Sequence, residues 1–73
     1  MTWYVGLTDD PNRRRAEHGN PSDWQQTATP FASEAAARAW EAQYVGKPGY
    51  QGGPGGSGWR YGYWYTITQH TRQ

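Results

Sequence analysis

Residues 46–62 read GKPGYQGGPGGSGWRYG, with eight glycines and two prolines in seventeen positions. Glycine loses the most conformational freedom on ordering, and proline cannot donate to a helix or a ladder. The stretch is therefore predicted to be a loop with no helix or strand of its own. All regular structure must come from the chain on either side, and the short C-terminal piece has to fold back onto the N-terminal one. Tyr50, Trp59 and Tyr61 interrupt the glycines, which predicts an ordered loop packed through its rings rather than a plain spacer.

The flanking segments supply the elements. Residues 2–8 (TWYVGLT) are β-branched and aromatic and predict a strand. Asp10 before Pro11 is an N-cap followed by a first-turn proline, so a helix is expected over residues 11–18, closed by a left-handed Gly19 and by Asn20-Pro21. Residues 24–31 (WQQTATPF) predict a short strand or extended segment ended by Pro30. From Ser33, SEAAARAWEAQYV has an N-cap, an acidic first turn and five alanines, and Gly46 ends the helix. The spacing places Ala36, Trp40 and Tyr44 on one stripe, expected to be core, and Glu34, Arg38 and Glu41 on another. Residues 61–68 predict a last strand. The order strand, helix, strand, helix, loop, strand is that of a single α+β domain over residues 1–73, with a small antiparallel three-stranded sheet and two helices.

A chain of 73 residues buries only about 60% of its unfolded surface, so its core must be efficient. Aliphatics are scarce, but five Trp and six Tyr replace them, and a net charge of +1 does not favour disorder. Without cysteine there is neither a disulfide framework nor a thiolate metal site, which points to the cytoplasm. No membrane span or signal peptide is expected. His18 and His70 have no partner at zinc-ligand spacing, Gly52-Gly53-Pro54-Gly55-Gly56 lacks the lysine of a phosphate-cradling loop, and no serine sits in a nucleophile elbow. Arg13, Arg14 and Arg15 form a local basic cluster suited to phosphate.

Tyr4-Val5-Gly6, followed by Thr8, Asp10, Arg14 and His18, resembles the YIG half of the GIY-YIG nuclease domain. FASEAAARAWEAQYV resembles that family's second segment, with Glu41 in the place of the metal glutamate, and the two together cover roughly two-thirds of the chain. YWYTIT, residues 63–68, resembles the GIY strand with Tyr65 as its tyrosine, although Tyr63 stands where the family has glycine and Gln51 is the nearest substitute for an asparagine that often follows the glutamate. That strand comes last here, so the resemblance is to a circularly permuted domain: joining residue 73 to residue 1 would put Tyr65 twelve positions before Tyr4.

The resemblance implies a metal-dependent endonuclease, a hydrolase of phosphodiester bonds using Mg²⁺ or Mn²⁺, or a non-catalytic nucleic-acid- or protein-binding module on the same fold. Its implied catalytic set is Tyr4, Arg14, His18, Glu41 and Tyr65. Glu41 would hold the metal, and Arg13, Arg15, Trp59 and Arg60 would contact nucleic acid, DNA in preference to RNA. Phosphodiester hydrolysis calls for such a set, with a group to handle the water's proton, a metal to neutralise charge and a cation on the phosphate oxygens. Each residue also has a purely structural reading: arginines on a solvated helix face, Glu41 paired with Arg38, His18 at a helix end, tyrosines and tryptophans in packing. A long glycine stretch before the last strand leaves either a monomer or a strand-exchanged dimer open.

Overall fold

The computed structural model describes residues 2–52 and 58–72. Strand β1 is Trp3–Thr8, helix α1 Pro11–Glu17, strand β2 Gln25–Gln26, helix α2 Glu34–Val45, strand β3 Tyr50–Gln51 and strand β4 Tyr61–Thr66. The α+β class follows, but the sheet is four-stranded and mixed, in the order β2-β4-β1-β3. β4 runs antiparallel to both β1 and β2, whereas β3 runs parallel to β1.

The added strand lies inside the stretch predicted to hold none. After α2 a turn closes through the Tyr50 N–H to the Lys47 carbonyl, and the Trp3 N–H donates to the Gly49 carbonyl at 2.7 Å. Tyr50 then packs its ring 4.9 Å from that of Trp3. A ring contact and a few ladder bonds outweigh the cost of ordering two residues, which a local reading of glycine content does not register. Residues 53–57 of the glycine-rich loop fall outside the described residues.

The helix ends agree with the capping signals. The Asp10 carboxylate accepts from the Arg13 N–H at 3.2 Å, and the Ser33 hydroxyl accepts from the Ala36 N–H at 3.1 Å. At the end of α1, the Asn20 N–H reaches the Arg15 carbonyl and the Gly19 N–H reaches the Ala16 carbonyl, with Gly19 at φ 86° and Asn20 at φ 55°. That is the Schellman arrangement, and it makes His18 the C-cap.

Alternation along β1 and β4 separates two faces. Trp3, Val5 and Leu7, with Gly62 and Trp64, face α2, whose Trp40 ring lies on Gly62 where a Cβ would come within 2.5 Å of it. The buried helical residue is Ala37, with Trp40 and Tyr44 half-buried, while Ala36, expected in the core, is exposed. A run of alanines carries no amphipathic contrast, so the stripe's phase slips by one position. The opposite face carries Tyr4, Tyr63 and Tyr65, packed by Trp24 and Ile67 and closed by His18.

Candidate active site

Tyr4, Gly6 and Thr8 of β1 stand directly opposite Tyr65, Tyr63 and Tyr61 of β4. Gly6 opposite Tyr63 has a specific consequence. A Cβ on Gly6 would lie 2.5 Å from the ring carbon that bears the Tyr63 hydroxyl, so only glycine lets that ring lie across β1. Trp24 stacks on the same ring at 4.4 Å and 11°.

His18 is 6% exposed and sits among these rings, 5.0 Å from Tyr4, 5.5 Å from Tyr63 and 5.1 Å from Tyr65. Its Nδ1 makes a very short contact with the Arg72 carbonyl oxygen. A carbonyl only accepts, so Nδ1 carries the proton and Nε2 the lone pair. The Tyr63 hydroxyl, 2.9 Å from Nε2, therefore donates to it. The Tyr65 hydroxyl lies 2.9 Å from Nδ1 and donates to the same Arg72 carbonyl at 3.3 Å, on the opposite side of the imidazole from Tyr63.

Electrostatics agree with that tautomer. Burial holds the His18 pKa below its usual 6.5, and the Arg14 guanidinium pushes the same way, against the raising effects of the Arg72 carbonyl and Glu17. Burial above all, then Tyr4, holds the Tyr63 hydroxyl well above the usual tyrosine value, with Arg14 opposing and Tyr65 and Glu41 adding to the rise. Tyr65 is raised mainly by burial, then by Tyr4. For Tyr63, Arg14 of α1 and Glu41 of α2 thus each contribute less to that balance than burial and Tyr4 do. Arg14 lies four residues before His18 and shares its helix face.

Of the residues singled out in the sequence, Tyr4, Tyr65 and His18 share one buried ring cluster with Tyr63, whereas Arg14 lines a cleft beside the start of α1 and Glu41 lines a separate one with Arg38, Ala42, Val45 and Gly52. Tyr63 itself was not among them, and the signal for it was Gly6, the small residue across the ladder. Arg14 has a 31% exposed side chain and pairs with Glu17 at 3.3 Å, and Arg13 pairs with the same carboxylate at 3.5 Å. Both line a cleft of about 370 Å³ with Thr8, Asp9, Asp10, Glu17 and Gly58. Arg60 reaches Asp9 at 3.7 Å and lies over the Trp59 ring, which joins it to the edge of that cleft, whereas Arg15 donates instead to the Pro21 carbonyl.

The Glu41 side chain is 20% exposed, with Arg38 3.9 Å away. Among the described residues no group of three or more His, Asp or Glu gathers at one point. A lone carboxylate is a sparse donor set, which Mg²⁺ and Mn²⁺ tolerate because they keep most of their water, and which zinc does not.

No family model, curated protein or solved structure matches this chain.

Proposed function

We propose that this chain is a nucleic-acid-binding domain, a circularly permuted relative of the GIY-YIG nucleases, that hydrolyses a phosphodiester bond with Mg²⁺ or Mn²⁺. The observation that supports this reading best is the Tyr63 hydroxyl. Its proton is directed at His18 Nε2, within a buried cluster that also holds Tyr4 and Tyr65. Because the hydroxyl donates to Nε2, its oxygen lone pairs remain to accept from a water. As that water's oxygen bonds to phosphorus, its proton passes to Tyr63 while the Tyr63 proton passes to Nε2. The P–O bond to the leaving sugar oxygen breaks in the same displacement, and that oxygen takes up a proton from solvent. A raised tyrosine pKa suits this exchange, since the phenol stays protonated until the water delivers a proton. Arg14 would leave Glu17 for the phosphate oxygens, with its planar fork matching two of them. Glu41 would hold the metal, which when bound neutralises charge developing on the phosphoryl oxygens.

The experiment is incubation with labelled single-stranded, duplex and branched DNA and with RNA, in Mg²⁺, Mn²⁺ or chelator, using the wild type, Glu41→Ala and Arg14→Ala. Metal-dependent cutting is expected, abolished by Glu41→Ala and reduced about 10²-fold or more by Arg14→Ala. Full activity in either variant overturns the assignment. A second reading, binding without turnover, has the shared pairing of Arg13 and Arg14 with Glu17 in its favour. It would show as retention of nucleic acid with no metal-dependent cleavage.

A further inference from the structure

A second cleft, of about 280 Å³, opens on the sheet face that α2 covers, beside the start of β1. The strand register puts Trp3, Tyr50 and Thr66 in one row across the sheet, with Gln25 and Trp64 in the row two residues along on the same face. Trp3, Tyr50 and Trp64 are half-buried, so each offers ring surface to the cleft, and Asp23 is exposed beside them. Thr66 pins two of the walls. Its hydroxyl accepts the Trp3 indole N–H at 2.9 Å, and its backbone N–H donates to both carboxylate oxygens of Asp23 at 3.2 and 3.0 Å. The indole and the carboxylate are therefore held in fixed relation before anything binds, which lowers the cost of binding.

The lining sets the ligand's charge. Asp23 is the one formally charged residue among those that line the cleft, and it still has carboxylate lone pairs beyond the two used by Thr66. Ring faces carry negative quadrupole, so carboxylate and rings act together to attract a cation and disfavour a phosphate. The same aromatic layer already holds one: the Lys47 ammonium sits 4.9 Å above the Tyr44 ring, which packs 5.7 Å from that of Tyr50. The cleft is just smaller than the roughly 300 Å³ at which pockets for drug-sized ligands begin, so it accommodates one head group.

We propose that this cleft receives a guanidinium, the side chain of an arginine on a partner polypeptide. A guanidinium is planar enough to stack on an indole while its fork meets a carboxylate, a combination an ammonium cannot match.

The test is titration of the full chain with N-acetyl-arginine amide, its neutral isostere N-acetyl-citrulline amide, and cytidine monophosphate, followed by NMR. Saturable shifts are expected at the indole N–H signals of Trp3 and Trp64 with the arginine probe, and binding about ten-fold weaker with the citrulline probe. Asp23→Asn should weaken arginine binding by a similar factor at unchanged melting temperature, because an asparagine oxygen can still accept from Thr66. Should that variant misfold, the arginine and citrulline comparison on the wild type decides alone. Equal binding of both amides, tighter binding of the nucleotide at the same signals, or no saturable shift at these tryptophans would overturn the proposal.

Discussion

Each ring nitrogen of His18 has a fixed partner, and the direction of each bond follows from the chemistry of that partner. The Arg72 carbonyl holds the proton on Nδ1, and Nε2 takes the proton of Tyr63. The pH dependence of stability follows from the same groups. Below 6.5, the usual histidine value, the unfolded chain protonates its histidine while folded His18 resists, so this contribution is intact at neutral pH and is lost as pH falls through and below 6.5. Above 10, unfolded tyrosines ionise while folded Tyr63 and Tyr65 stay protonated, so stability falls again as pH rises. Melting temperature against pH is expected to show both limbs, with the alkaline limb reduced in Tyr63→Phe. An alkaline limb unchanged in that variant would contradict the burial of Tyr63. Gly6→Ala should destabilise by about 1–3 kcal/mol in a denaturant titration, because the added methyl has to displace the Tyr63 ring that lies across it. A neutral outcome there would mean that the ring has somewhere else to go.

Elements succeed or fail in the sequence according to whether their signal is local. The N-caps Asp10 and Ser33 and the left-handed Gly19 are legible because capping is decided within a few residues, and the two helices begin where those residues say. β3 is not legible, because two residues in a glycine-rich run pair with β1 only through a turn at Lys47 and a ring contact to Trp3. Tyr61, Tyr63 and Tyr65 alternate onto one face, so the strand pattern alone could not say which hydroxyl would meet His18. Both Tyr63 and Tyr65 reach it, Tyr63 at Nε2 through the space that Gly6 leaves on the neighbouring strand. Since α1 presents both Arg14 and His18, its cap matters to the site as well as to the helix. Asp10→Ala is expected to cost about 0.5–2 kcal/mol of stability in chemical denaturation, with a loss of cleavage beyond what the unfolded fraction accounts for. A stability cost with undiminished specific activity would show that α1 holds its place without the cap.

For the molecule as a whole, Tyr61–Thr66 fits between β1 and β2 of its own chain, and the Ile67 N–H donates to the Thr2 carbonyl at 2.8 Å. The last strand thus lies against the first with Tyr65 directly opposite Tyr4. A chain reordered by joining residue 73 to residue 1 through a short Gly-Ser linker, and opened within residues 53–57, is expected to give the same circular dichroism and a cooperative melt. Failure of that permutant to fold would count against the permuted relationship. The meeting of Tyr4, Tyr63 and Tyr65 with His18 is not legible locally, since no local pattern joins two strands and a helix cap.

The most direct measurement is the single-turnover rate of phosphodiester cleavage in Mg²⁺ for the wild type, Tyr63→Phe and Tyr65→Phe on whichever nucleic acid the wild type cuts. Removing the Tyr63 hydroxyl should lower the rate about 10²-fold or more, and removing the Tyr65 hydroxyl, on the other side of His18, should lower it far less. A Tyr63→Phe enzyme that cuts at the wild-type rate would contradict the assignment of Tyr63 and His18 to the water's proton.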